Sequence, residues 1–230
     1  MITEVYIKEI AKSLKHIKKE VVFTGGAVVN LYSTDKAAKN IRPTDDIDCV
    51  VKAVRRSDYN NFEEQLRKLG FANDMSGKAP ICRYIFKGIK VDFMPTEGKI
   101  LGFENKWYAD GFDNAVDFIF DDGFKIKIFP SEYFLASKLD AFWDRGRKDM
   151  RLSTDFEDVV FLLNARKELM DEVRNSPPNV LKYIKEKMSY FVSHQDIDEG
   201  IIAVLPYGSG NERVKYIKNN RVVTAPMPNS

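Results

Sequence analysis

Residues 42–51 read RPTDDIDCVV and are the most informative segment of this chain. Side chains at positions i and i+2 of a strand point to the same face, so Asp46 and Asp48 project together while Ile47 points toward the core. Two neighbouring carboxylates repel each other, and a divalent cation that prefers hard oxygen ligands, such as Mg²⁺, removes that conflict. A solvated strand end rich in aspartate is the alternative interpretation of the same spacing.

Two other segments strengthen the metal interpretation. Asp92 lies in the apolar run KVDFM, where an acidic side chain needs either a metal ion or a salt bridge. Upstream, the apolar segment VVFT ends at Gly25 and Gly26, and a short helix is expected at 27–32. Glycine lets the backbone approach a phosphate closely, and a helix N-terminus offers N–H donors to an anion. A strand, a glycine turn, a helix and three strand-borne aspartates form a more specific pattern than any one of these features.

Hydrophobic periodicity predicts an α+β arrangement for residues 1–129 and a helical one for residues 130–230. We therefore expect a domain boundary near Pro130. The elements expected before it are helices at 3–19, 27–32 and 59–69, strands at 21–23 and 47–54, and hairpins at 82–94 and 115–129. The first hairpin is expected to turn at Lys87-Gly88.

The composition excludes several classes of protein. The 230 residues include 36 Lys and Arg against 34 Asp and Glu, and are 44% hydrophobic and 30% charged, which suits neither a disordered nor a membrane-embedded chain. No run approaches the roughly 18 apolar residues of a transmembrane helix, and the charged N-terminus does not resemble a secretory signal. Cys49 and Cys82 both lie in apolar runs, which argues against a disulfide framework. We expect a cytoplasmic protein with no membrane association.

With these motifs in place, the sequence resembles the nucleotidyltransferase superfamily typified by DNA polymerase beta. More narrowly, it is similar to the AbiEii-type nucleotidyltransferases, the toxin-like members associated with abortive infection. The resemblance spans about residues 20–165 and includes a C-terminal block that reads PSEYFLASKLDA at 130–141 and TDFEDVVFLL at 154–163. The other residues that carry it are Gly25, Gly26, Arg42, Thr44, Asp46, Asp48 and Asp92.

The resemblance implies a nucleotidyltransferase fold with a mixed central sheet flanked by helices, and a helical C-terminal region that closes the cleft. It also implies that an Mg²⁺-dependent enzyme transfers NMP from an NTP to a hydroxyl acceptor. The metal ligands would be Asp46, Asp48 and Asp92. The residues that bind the nucleotide would be Gly25, Gly26, Thr44 and Lys138. Catalytic roles would fall to the three aspartates, to Lys138 and to Asp155.

Two of these residues have simpler interpretations. Lys138 lies on an apolar helix, where a lysine commonly extends its ammonium group into solvent. Asp155 follows Thr154 at the expected start of a helix, where any acidic residue interacts favourably with the helix dipole.

The acceptor and the partners are suggested by charge and by the toxin-like resemblance. Residues 144–151 read DRGRKDMR and contain four cations, which form either a solvated loop or a surface that guides a polyanion such as RNA. Arg42 could contribute to the same field. An RNA or tRNA acceptor and an antitoxin protein are the expected partners.

The sequence departs from the superfamily pattern at two places, and other functions stay open. Gly26 stands where the superfamily usually has serine, and the spacing from Gly26 to Asp46 is longer than in compact members. A catalytically inactive binding or regulatory module with the same fold is therefore one alternative. A small-molecule, aminoglycoside-like nucleotidyltransferase is another, although the basic run argues mildly against it.

Overall fold

A computed structural model describes residues 1–35, 44–102, 104–146, 149–205 and 211–219. Arg42, Arg147 and Lys148, three of the cations considered for RNA attraction, lie outside these ranges. The described residues divide into two compact units. Residues 1–31 and 44–130 form the first, and residues 32–35 join those from Ser131 onward in the second. The division after Pro130 coincides with the boundary expected from the sequence, except for residues 32–35.

The first unit is built on a mixed sheet, which has seven strands in the described residues. The strands are β1 Val21–Thr24, β2 Asp46–Val51, β3 Ala72–Asn73, β4 Arg83–Phe86, β5 Ile89–Pro95, β6 Val116–Ile119 and β7 Lys125–Ile128. Their order across the sheet is β3-β4-β5-β2-β1-β7-β6. β2 runs parallel to β5 and β1 runs parallel to β7, while every other pairing is antiparallel. The predicted α+β class with a mixed sheet is confirmed.

The helices of this unit are α1 Glu4–Ser13, α2 Arg56–Lys68 and α3 Tyr108–Asp113. The single helix predicted at 3–19 is interrupted, because Lys15 adopts a positive φ of 49° and a 3₁₀ helix, Lys15–Glu20, follows. The apolar stripe survives this break: Ile10, Leu14 and Ile17 are all fully buried. Val5, the first residue of the predicted apolar spacing, is 72% exposed, and Ile7 is buried instead. The periodicity therefore identified the buried face from Ile10 onward, but not at the start of the helix, and it did not reveal the change of helix type.

The start of α2 also differs from the prediction. The helix predicted at 59–69 begins earlier, at Arg56. The Asp58 carboxylate accepts hydrogen bonds from the backbone N–H groups of Val54 and Arg55, at 3.3 and 2.9 Å. It therefore satisfies helix-start donors from inside the first turn.

Both cysteines are buried free thiols in the first unit. Burial raises the pKa of Cys49 well above its usual value and raises the pKa of Cys82 to about 12. The nucleophilic thiolate form is thus disfavoured at both positions.

The second unit is helical, as predicted. Its helices are α4 Ser131–Ala141, α5 Thr154–Ala165, α6 Leu169–Arg174, α7 Pro178–Ser193, α8 Ile197–Val204 and α9 Asn211–Asn219. A π-helical turn, Phe142–Gly146, follows α4. The rings of Phe142, Phe156 and Phe191 pack against one another with centroids 4.8–6.0 Å apart and form much of the core.

Within the described ranges, we find no helix that is both long and apolar enough to cross a membrane.

Candidate functional site

Strands β2 and β5 carry the three predicted metal ligands at neighbouring register positions. Asp48 of β2 pairs with Asp92 of β5, and Asp46 lies two residues before Asp48 on the same strand. The row continues on both sides, since Thr24 pairs with Asp48 and Arg83 pairs with Asp92. Side chains in one such row point to the same face of a sheet. The carboxylates of Asp46, Asp48 and Asp92 therefore lie on one face of the sheet.

Burial differs among these carboxylates. The side chain of Asp92 is 10% exposed, whereas that of Asp46 is 32% exposed. Burial raises the pKa of Asp92 above its usual value, and this effect outweighs the hydrogen bonds and positive charge of Arg83, which lower it. The face therefore has a buried end at Asp92 and a more solvated end at Asp46.

Arg83 binds two of the three carboxylates. Its Nε and Nη2 atoms donate to Asp92 Oδ1 and Oδ2 at 2.7 and 2.8 Å, which is the bidentate geometry of a strong charge-assisted pair. The same Nη2 donates to Asp46 Oδ2 at 2.6 Å. The hydrogen bonds to Asp92 raise the pKa of Arg83, and the charges of Asp92, Asp46 and Asp48 add to that effect. Asp92 therefore has a salt-bridge partner in its apolar surroundings.

The glycine turn packs directly against the acidic motif. Gly25 has a φ of +70°, and a β-carbon built on it would lie 1.9 Å from Asp48 Oδ2. Only glycine is compatible with both the backbone conformation and the proximity of the carboxylate. Gly26 begins the helix that was expected here, which is a 3₁₀ helix, Gly26–Tyr32.

Thr44 orients one of the carboxylates. Its hydroxyl donates to Asp46 Oδ1 at 3.1 Å, and its backbone carbonyl accepts from the N–H of Ile2 at 2.8 Å. Among the contacts described here, its partner is Asp46, so the nucleotide contact implied by the resemblance remains a prediction.

Lys138 and Asp155 belong to the second unit, where they form part of a charged cluster on α4 and α5. Lys138 Nζ lies 2.7 Å from Asp158 Oδ2 and 3.3 Å from Asp155 Oδ1. Arg145 Nη2 lies 3.1 Å from Asp155 Oδ2. The Asp158 side chain is fully buried, and that of Lys138 is only 13% exposed. Lys138 is therefore a counter-ion of buried carboxylates, which corrects the interpretation of it as a surface lysine.

The start of α5 explains why Asp155 is available for this cluster. The N-cap is Ser153, whose hydroxyl accepts from the backbone N–H of Phe156 at 3.2 Å. Asp155 lies in the first turn, as expected, but its carboxylate pairs with side-chain cations.

The donor chemistry of the carboxylate face fits Mg²⁺. Asp46, Asp48 and Asp92 offer only hard oxygens, and the absence of a side chain at Gly25 leaves room for one of them. In the part of the chain that the structure describes, no group of three or more His, Cys, Asp or Glu residues is arranged to hold a metal ion. The guanidinium of Arg83 supplies the positive charge that Asp46 and Asp92 require in this arrangement.

Sequence reasoning missed Arg83, although a signal for it was present. The hairpin turn predicted at Lys87-Gly88 is observed, and both residues have positive φ values, 48° and 80°, as in a type I′ turn. A two-residue turn at these positions pairs Phe86 with Ile89, and the same register pairs Arg83 with Asp92. The predicted turn was therefore sufficient to place an arginine beside the third aspartate.

No protein-family model matches the chain, and no curated protein matches it.

Proposed function

We propose that the chain is an Mg²⁺-dependent nucleotidyltransferase with the nucleotidyltransferase fold, which transfers NMP from an NTP to a hydroxyl acceptor. One observation carries the proposal: Asp48, which fills the space left by Gly25, is the register partner of Asp92 and shares a strand face with Asp46. Three hard-oxygen donors beside a glycine turn suit a metal-bound triphosphate better than they suit a structural role.

The residues of the first unit have separate tasks in this proposal. Asp46 and Asp48 hold the metal from one strand, and Asp92 completes the ligand set from the neighbouring strand. Thr44 keeps Asp46 oriented through its hydrogen bond, and Gly25 leaves the space that the Asp48 carboxylate occupies. Bound Mg²⁺ supplies charge neutralisation of the phosphates and activation of the acceptor hydroxyl.

The reaction is an in-line displacement. The acceptor oxygen forms a bond to the α-phosphorus while the bond from that phosphorus to the bridging oxygen breaks, releasing pyrophosphate and a proton. Gly25 and Gly26 are proposed to contact the phosphates through their backbone N–H groups. Within the second unit, the ion pairs with Asp155 and Asp158 fix the position of the Lys138 ammonium group.

An RNA or tRNA acceptor and an antitoxin partner in the cytoplasm complete the proposal. They are supported by the similarity to toxin-like nucleotidyltransferases. The basic run gives limited support, because the described cations Arg145 and Arg151 already pair with Asp155 and Asp149.

The test is label transfer from α-³²P NTPs to total RNA, purified tRNA and an aminoglycoside, with Mg²⁺ or with chelator. We expect labelled RNA only with Mg²⁺, and none with the Asp46→Asn/Asp48→Asn double variant. Equal labelling by the double variant would refute the proposal. Labelling of the aminoglycoside alone would indicate the small-molecule alternative.

A catalytically inactive binding module is a second candidate, and a specific observation favours it. Arg83 already neutralises Asp46 and Asp92, as a permanent internal cation would in a fold that no longer binds metal. Titration calorimetry separates the two candidates, since the enzyme requires NTP binding that depends on Mg²⁺ and the inactive module does not.

A further inference from the structure

Arg83 uses the same carboxylate oxygens that the proposed metal requires. Its guanidinium engages both oxygens of Asp92 and Oδ2 of Asp46. Mg²⁺ demands carboxylate ligands at short, well-defined distances, and a second cation at the same oxygens repels it. The guanidinium and a divalent cation therefore compete for this face.

The two contacts of Arg83 differ in strength. The contact with Asp92 is bidentate and buried, whereas the contact with Asp46 is a single hydrogen bond to a carboxylate that is 32% exposed. A bidentate, desolvated pair is the harder of the two to break. Arg83 can therefore release Asp46 while it keeps Asp92.

The position of Arg83 in the sheet favours such a movement. It lies on β4, outside the two carboxylate-bearing strands and one strand from the sheet edge. Its long side chain can change rotamer without any change in the strand pairing that holds Asp46, Asp48 and Asp92 in register.

We infer that Arg83 is an internal counter-ion that competes with the divalent cation for Asp46 and Asp92, and that its release of Asp46 controls metal loading. This inference rests on the proposed function, because it takes these carboxylates as the metal ligands. Arg83 keeps the carboxylates neutralised in the absence of metal and sets how tightly the cation binds.

The test measures binding of Mn²⁺, a paramagnetic substitute for Mg²⁺, by electron paramagnetic resonance, with and without NTP. The proteins compared are the wild type, Arg83→Gln, Arg83→Lys and Arg67→Gln. Arg67 is the control, because its half-exposed side chain pairs with Glu63 on α2 of the same unit and not with the three aspartates. We expect Arg83→Gln to bind Mn²⁺ about tenfold more tightly than the wild type, since one nearby positive charge is removed. Arg67→Gln should bind as the wild type does.

Arg83→Lys covers the case in which Arg83→Gln does not fold. Lysine keeps the charge but lacks the planar fork, so it cannot hold Asp92 and Asp46 as arginine does. We expect Mn²⁺ affinity between those of the wild type and the glutamine variant. Addition of Asp46→Asn to either variant should abolish the gain.

Two results would overturn the inference, and they are distinguishable. If the wild type binds Mn²⁺ and both folded Arg83 variants bind it with equal or lower affinity, Arg83 does not compete with the cation. That result would leave the proposed function intact. Absence of Mn²⁺ binding from every folded protein, with or without NTP, would overturn the proposed function as well.

Discussion

The Asp48 carboxylate occupies the space that a side chain at Gly25 would fill, because a β-carbon there would lie 1.9 Å from Asp48 Oδ2. The two residues are far apart in sequence, and the antiparallel pairing of β1 with β2 brings them together, with Thr24 opposite Asp48. The glycine turn and the acidic motif are therefore parts of one structure. The Asp48 carboxylate can take this position only if residue 25 has no side chain.

Substitution of Gly25 by alanine is expected to displace Asp48 and to abolish nucleotidyl transfer. Gly123→Ala is the matched control, because Gly123 also has a positive φ, 78°, but nothing lies within 4 Å of its β-carbon position. Backbone strain alone costs about 1–2 kcal/mol, so Gly123→Ala should lose about that much stability and Gly25→Ala clearly more. Chemical denaturation and label transfer measure both effects. Identical losses in the two variants would show that the contact with Asp48 carries no cost.

Removal of the Thr44 hydroxyl is expected to weaken metal binding. In Thr44→Val, Asp46 loses the hydrogen bond at Oδ1 that orients it, which costs about 1–2 kcal/mol and corresponds to an increase of roughly five- to thirtyfold in the Mg²⁺ concentration needed for half-maximal label transfer. Thr44→Ser retains the hydroxyl and should behave nearly as the wild type. If the valine variant needs no more Mg²⁺ than the wild type does, the hydrogen bond to Asp46 does not contribute to metal binding.

Asp92 should give the stability of the protein a recognisable dependence on pH. Its pKa in the folded chain is raised above the reference value of 3.8, mainly by burial, so the folded state binds a proton more tightly than the unfolded state does. Its contribution to stability is therefore fully present below pH 3.8 and is lost as the pH rises through the raised value.

The measurement for Asp92 compares the free energy of unfolding of the wild type with that of Asp92→Asn across the same pH range. Since asparagine does not titrate, the difference between the two proteins should shift in favour of the variant as the pH increases from about 4 toward 7. A constant difference, or one that shifts in favour of the wild type, would contradict the raised pKa.

Lys138 is expected to contribute strongly to the stability of the second unit. Lys138→Met would leave Asp158, which is fully buried, and Asp155 without the ammonium between them. Removal of one partner from a buried ion pair costs about 3–5 kcal/mol. Lys167→Met is the control, because the pair that Lys167 forms with Asp35 is 3.9 Å long and its own side chain is 62% exposed, so it should lose about 1 kcal/mol or less. Equal midpoints of denaturation for the two variants would refute this role.

The sequence was most informative where a local rule fixes geometry. Strand alternation placed Asp46 and Asp48 on one face, and the turn at Lys87-Gly88 was located correctly. The change to helical structure at Pro130 was also visible, because the hydrophobic period itself changes there.

What the sequence did not reveal depends on pairs of residues rather than on single ones. A salt bridge was one of the two interpretations of Asp92, but no partner was named for it, so the arginine opposite it in the hairpin was overlooked. The pairing of Asp158 was not predicted, because its partner, Lys138, lies on another helix. The break after α1 depends on the positive φ of Lys15, a conformation that is uncommon for a lysine and is not encoded in the apolar spacing.

The strands that carry the aspartates are both interior to the sheet: β2 lies between β5 and β1, and β5 lies between β4 and β2. Backbone amides of an interior strand are engaged in hydrogen bonds along both edges, so they should exchange with solvent far more slowly than those of β6, which is paired on one side. A ligand that arrives at this face thus meets a stiff framework. Adaptation to it falls to side-chain rotation, not to main-chain movement.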